Sequence, residues 1–255
     1  MPDVIFVGLS GPSSSGKTTL AHILCQIFPN TEILHADDFC KEFDQIPTVN
    51  GYLDCDGPAG VDFVRLGETL DYMKSHNGRL PDGFKSWQAD VFPNLRLKAI
   101  ELAPVELMEN MRAKVQQAQR LAGHNSSRDL VAAKIVFVDG FLLYHEPSIR
   151  NRLDLRLFLR LSHASAKQRR FTRPGYGSEA KSGEFWKTED YFEKMVWRNY
   201  VAHHAQFFIG GNVEGIVHAQ QCQNLGIEIL PGLDRPLEDS LPWAIDQIIE
   251  FLKQR

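Results

Sequence analysis

The stretch VIFVGLSGPSSSGKTTL, Val4 to Leu20, decides how the rest of the chain is read. A strand-length apolar run, Val4 to Leu9, leads into Gly11-Pro12-Ser13-Ser14-Ser15-Gly16-Lys17-Thr18, and an amphipathic pattern opens at Lys17. The middle fits G-x-x-x-x-G-K-[ST] completely and stands between a strand and a helix, the context that the motif requires. Small residues let successive backbone N–H groups turn inward on phosphate oxygens, and the helix N-terminus adds partial positive charge. Lys17 is placed to neutralise β and γ oxygens, Thr18 to offer Mg²⁺ a hydroxyl, and Thr19 to complete the loop's contacts. The glycine spacing is not that of a dinucleotide fingerprint. The loop is expected to hold a nucleoside triphosphate, ATP with Mg²⁺.

Working outward, apolar runs of strand length recur between longer helical stretches: Thr31-His35, Lys134-Val138, Leu155-Leu161 and Ile227-Leu230. Helices are expected over Lys17-Phe28, Ala59-Ser75, Pro104-Leu121, Ser165-Arg173, Glu189-Gln206 and Leu241-Gln254. Pro58 and Pro104 suit first turns, and Asp56 and Ser162 suit N-caps. Alternation of this kind predicts an α/β fold, a mainly parallel sheet with helices on both faces. His76-Asp90 and Gly123-Asp129 read as surface insertions, too short to separate domains. The expectation is one phosphate-loop domain over residues 1–255 with a small Arg-, Gly- and Ser-rich lid at about 165–185.

Composition excludes several classes. Apolar residues make up 43% and charged residues 24%, and no apolar run reaches the roughly 20 residues of a membrane span. The N-terminus lacks the basic flank and long apolar core of an export signal, so a cytoplasmic location is expected. Cys25, Cys40, Cys55 and Cys222 form no C-x-x-C pair and read as free thiols. A net charge of -4 argues against nucleic acid as a partner. No obligate protein partner is evident. Between Arg150 and Arg173, however, eight Lys and Arg stand against one acid, Asp154, a balance that suits a compact polyphosphate.

Two classes of phosphate-loop protein compete, a small-molecule kinase and a regulatory ATPase that changes shape on hydrolysis. No [NT]-K-x-D guanine-reading motif is present. The kinase reading gains from ILHADDF, a second strand that ends in Asp37-Asp38 about 20 residues past Lys17. A carboxylate there can take the proton of an attacking hydroxyl. Adjacent residues of an extended chain face opposite ways, so one of Asp37 and Asp38 is expected in the site. In KIVFVDGFLLY, Asp139 follows a buried strand, the position of a carboxylate that holds Mg²⁺ or its water. In KQRRFTRPGYG, Arg169, Arg170 and Arg173 supply guanidinium groups for charge that develops in transfer, with Gly175 and Gly177 as a hinge.

Together these motifs resemble the nicotinamide riboside kinases, within the uridine kinase-like group of phosphate-loop kinases. The resemblance covers nearly the whole chain through GLSGPSSSGKTTLA, HADDF, GYLDCDGPAGVDF, VDGFLL, RRFTRPGY and YFEKMVWRNYVAHHAQFFIGGNVEG. It implies ATP-dependent transfer to the 5′-hydroxyl of a ribonucleoside, with Asp37 as catalytic base and Lys17 and Thr18 on phosphate and Mg²⁺. Mg²⁺ would lie between Thr18 and the acidic positions Asp37 and Asp139. Arg169 and Arg173 match lid residues near ATP, Arg170 one near the substrate, Tyr176 the lid tyrosine, and Asp56 the carboxylate on the ribose hydroxyls. Adenine contacts are implied near Leu233-Asp234-Arg235. Asp38, Phe39, Cys40 and Cys55 complete the implied acceptor pocket. Cys40 and Cys55 stand where the family carries aromatics, which leaves Tyr52, Phe39 or Trp87 to stack on a base. A pyrimidine nucleoside is the alternative acceptor.

Overall fold

Parallel strands with continuous apolar runs need cover on both faces, and the chain provides it. The computed structural model describes residues 3–91, 94–125, 133–172 and 188–255. Five strands, β1 (Val4–Ser10), β2 (Thr31–His35), β5 (Lys134–Asp139), β6 (Leu155–Phe158) and β7 (Ile227–Ile229), form one parallel sheet in the order β2-β5-β1-β6-β7. A short antiparallel ribbon, β3 (Thr48–Val49) with β4 (Tyr52–Leu53), stands apart from it.

Strand alternation divides β1 between two cores. Ile5, Val7 and Leu9 join the core built with α1 (Lys17–Ile27), α5 (Val105–Asn125) and α11 (Leu237–Lys253). Val4 and Phe6 join the opposite one, with α2 (Phe63–Ser75), α6 (Pro147–Arg150), α9 (Arg198–His204) and α10 (Ala219–Leu225). Leu9 and Leu157 are cross-strand partners and both wholly buried, so Leu157→Ala would cost about 2–5 kcal/mol. A third cluster, Leu161, Ala166, Tyr191, Phe192, Met195 and Val196, ties α7 (His163–Thr172) to α8 (Glu189–Tyr191) and the π-helical turn that follows.

All five expected sheet strands are present, as are the six helical regions, with instructive differences. Helix α11 starts at Leu237, so Pro242 lies inside it instead of in its first turn. The missing hydrogen bond is tolerated because Leu241, Ala244, Ile245, Ile248 and Leu252 bury one face. Helix α2 starts at Phe63, capped by Asp62, whose carboxylate accepts from Arg65 N–H at 2.9 Å. Asp56 caps nothing, since Gly57 precedes the short 3₁₀ turn Pro58–Gly60. Ser162 does cap α7, accepting from Ser165 N–H at 3.2 Å. The expected Glu189-Gln206 helix is broken by the π turn Phe192–Trp197.

His76-Asp90 is not merely surface. It carries the start of α3 (Trp87–Val91), and its Leu80 and Phe84 pack on the second core. Helix α4 (Leu95–Glu101) was not foreseen, and residues 126–129 of the second expected insertion lie outside the described residues. Among the described residues, no helix is long and apolar enough to cross a membrane.

Candidate active site

The phosphate loop joins β1 to α1 at the carboxyl edge of the sheet. Gly11 adopts φ 141°, and a Cβ there would come 2.4 Å from the Leu159 carbonyl oxygen, so only glycine fits. Gly16 adopts φ 91° immediately before α1. Ser14 takes the left-handed conformation without being glycine, φ 64°, a strain that loops holding ligands often store. Lys17 Nζ donates to the carbonyls of Pro12 at 2.8 Å and Gly11 at 3.1 Å. Ser15 also lines this turn, 3.4 Å from the Lys17 ammonium.

The candidate metal corner is built by register. His35 and Asp139 are cross-strand partners at the ends of β2 and β5, and Asp139 also pairs with Leu9 of β1. His35 Nδ1 lies 2.5 Å from Asp139 Oδ1, and Thr18 Oγ1 donates to Asp139 Oδ2 at 2.5 Å. Burial opposes charge on both partners, yet their attraction wins: Asp139 holds His35 above the usual imidazole range, and His35 holds Asp139 below the usual carboxylate range. Asp139 is therefore an anion at neutral pH. One hydroxyl and one carboxylate side by side fit Mg²⁺, which usually takes one or two carboxylates and completes its shell with phosphates and water. Ser14 Oγ, buried in the loop with no hydrogen-bond partner among the described residues, fits a phosphate-binding role likewise.

Asp37 and Asp38 do not continue the strand. They lie in a 3₁₀ turn, Ala36–Phe39, so the alternation expected of an extended chain does not sort them. Asp38 Oδ1 accepts from Gln88 N–H at 2.9 Å and anchors α3. Phe39 is wholly buried and packs in the second core, with Phe84 at 5.8 Å and the Arg65 guanidinium at 5.4 Å. Asp37 is half-buried at the strand end.

A second polar cluster, the candidate acceptor corner, lies at the other end of the loop. Arg170, only 2% exposed, donates from Nη1 to Ser13 Oγ at 2.9 Å and approaches Asp56 Oδ1 at 3.4 Å. Asp56 Oδ2 accepts from Tyr191 Oη at 2.8 Å. Next to them, Asn199 donates to Asp54 Oδ1 at 2.6 Å. Neither Tyr191 nor Asn199 was singled out from sequence, because their partners are more than a hundred residues away. Cys55 is buried beside Asp56, and burial with that carboxylate pushes its thiol up to about 12. Cys40 is exposed, yet desolvation and the nearby Asp37 push its thiol up as well. Both therefore line the corner as neutral groups. All four cysteines are free. Of the replacement aromatics, Tyr52 sits edge-on to Tyr191 at 5.8 Å, while Trp87 is 52% exposed.

The basic run from Arg150 is mostly structural, contrary to expectation. Arg150, Arg156 and Arg160 donate to main-chain carbonyls, and Arg152 pairs with Asp71 at 2.7 Å. Of its described members, Arg170 reaches the loop and Arg169 is exposed on α7. Asp234 accepts from Ser162 N–H at 2.8 Å, so its carboxylate ties the loop after β7 to the start of α7. Arg173 and Tyr176 lie outside the described residues.

No protein-family profile matches the chain. Over 251 residues it is 31% identical to the nicotinamide riboside kinase of Schizosaccharomyces pombe, covering 98% of both chains. The nicotinamide riboside kinase of Saccharomyces cerevisiae is 29% identical over 262 residues, again covering 98% of each. Among solved structures, a possible uridine kinase from Bacillus stearothermophilus aligns with a TM-score of 0.42 at 17% identity, covering 80% of this chain and 83% of that one. With 31% identity held over nearly its whole length, the chain belongs to the nicotinamide riboside kinase family.

Proposed function

We propose that the chain is an ATP-dependent kinase that transfers the γ-phosphoryl group to the 5′-hydroxyl of a ribonucleoside. Nicotinamide riboside is the acceptor favoured by the fungal relatives' names, and the product is the mononucleotide used for NAD synthesis. The observation that carries the reading is that one loop serves both corners: Thr18 stands on Asp139 at one end, and Ser13 accepts from Arg170, beside Asp56, at the other.

In this reading the loop residues Gly11 to Thr19 hold the triphosphate, and Lys17 turns from its carbonyl partners to the phosphate oxygens. Thr18 and Asp139, with Asp37 nearby, would hold Mg²⁺, which when bound offsets phosphate charge. Asp56 accepts from the ribose hydroxyls. Asp37 takes the proton of the attacking 5′-hydroxyl, and Arg170 stabilises charge on the transferring group. Residues 165–185 act as the lid of a single kinase domain, with Arg169, Arg173 and Tyr176 closing over the site and excluding water. A cytoplasmic location is part of the proposal, supported by the four free thiols.

A second reading, a pyrimidine nucleoside acceptor, is favoured by one observation: neutral thiols at Cys40 and Cys55 are weaker partners for a cationic ring than aromatic faces. The direct test incubates the protein with ATP, Mg²⁺ and nicotinamide riboside and follows nucleotide products by mass. Formation of the 5′-mononucleotide together with ADP is expected. ATP hydrolysis with no phosphorylated nucleoside would overturn the kinase reading in favour of a regulatory ATPase.

A further inference from the structure

Asp56 and Arg170 alone do not fix the acceptor corner. The torsion that turns an aspartate carboxylate about its own axis is broad and roughly twofold, so its oxygens need external anchors to keep one orientation. On Oδ1 the anchor is Arg170 at 3.4 Å, a long contact; on Oδ2 it is Tyr191 Oη at 2.8 Å. Tyr191 is itself held firmly. It is wholly buried, its backbone N–H donates to Thr188 Oγ1 at 3.3 Å, Tyr52 packs on it edge-on, and the Arg170 guanidinium lies 5.8 Å from its ring centre.

We infer that Tyr191 is a positioning residue for acceptor selection: by fixing Asp56 it holds the carboxylate's remaining lone pairs where a vicinal ribose diol can donate to both oxygens. An ionised carboxylate has about four acceptor sites, so two protein donors still leave room for two hydroxyls. The inference deepens the kinase reading and rests on Asp56 as the ribose carboxylate. It follows that preference for ribose over deoxyribose depends on a side chain that need not touch the sugar.

The test compares Tyr191→Phe with the wild type on two acceptors, nicotinamide riboside and its 2′,3′-dideoxy form, which keeps the 5′-hydroxyl. The substitution preserves the ring and removes one hydroxyl. Loss of a hydrogen bond to a charged group predicts a fall of about tenfold or more in kcat/KM for the riboside, carried by KM, with the KM for ATP unchanged. The dideoxy acceptor should lose less than twofold. Both acceptors are measured on one preparation, so their ratio is independent of the fraction folded. Equal losses on both acceptors, or none on either, would overturn the inference. Asp56→Asn, run in parallel, separates the two levels. If it loses the riboside selectively and Tyr191→Phe does not, this inference alone fails. If the wild type phosphorylates no ribonucleoside, the kinase reading fails and takes this inference with it.

Discussion

Arg170 Nη1 lies 2.9 Å from Ser13 Oγ, which joins α7 to the phosphate loop across 157 positions of sequence. The same guanidinium approaches Asp56, so one buried cation touches both the loop and the acceptor corner. Both contacts come from Nη1 of a rigid planar guanidinium, a placement that the compact ammonium of lysine on its flexible stem does not reproduce. Arg170→Lys should therefore lower kcat by about a hundredfold or more, the scale of losing one donor to transition-state charge. Steady-state kinetics check this, and unchanged kcat would remove Arg170 from the transfer step.

Asp37 is half-buried just past the end of β2, at the carboxyl edge of the sheet. If it is the general base, Asp37→Asn should lower turnover by about 10²–10⁴-fold and leave ATP affinity intact. Nucleotide titration beside a turnover assay separates the two effects. Undiminished turnover would exclude Asp37 as the base.

Burial and neighbouring acids keep the Cys40 and Cys55 thiols protonated, although Cys40 is exposed. Thiolate is the reactive form. Alkylation by iodoacetamide at pH 7.5, followed by mass, should be at least about tenfold slower at both positions than for an unperturbed cysteine. Fast labelling of Cys40 would contradict the electrostatics described for that corner.

His204 is 1% exposed, and burial, with positive charge nearby, lowers its pKa to about 3. The unfolded chain, with a pKa near 6.5, binds a proton that the folded protein refuses, so stability is complete above that pKa and falls as pH drops. Between pH 7 and pH 5 this side chain should remove about 2 kcal/mol of stability. His204→Phe suits the aromatic surroundings of Phe158, Tyr200 and Phe207. Urea unfolding at the two pH values should show that the variant's pH-dependent loss is smaller by about that amount.

The strands and the loop were legible because a parallel strand buried on both faces is a continuous apolar run, and because glycines at Gly11 and Gly16 answer a backbone requirement visible in the motif. What depended on pairing across the sheet was not. His35 reads as one polar residue before two acids, and its role exists only because register sets it opposite Asp139. Tyr191 likewise gains its role from Asp56, 135 positions away. Phe39 and Asp56 were ambiguous for the opposite reason, since each residue type fits both a local structural role and a binding one. The π turn at Phe192–Trp197 leaves no mark in an otherwise helical pattern.

One competition measurement decides the acceptor: purified protein with ATP, Mg²⁺ and equimolar nicotinamide riboside and uridine, reading both 5′-monophosphates by mass. The pyridine mononucleotide is expected to dominate, with the ribose frame of Asp56, Arg170 and Tyr191 serving an acceptor pocket lined by Cys40 and Cys55. Dominant uridine monophosphate would contradict it, and would mean that the two thiols mark a base pocket changed on the same catalytic frame.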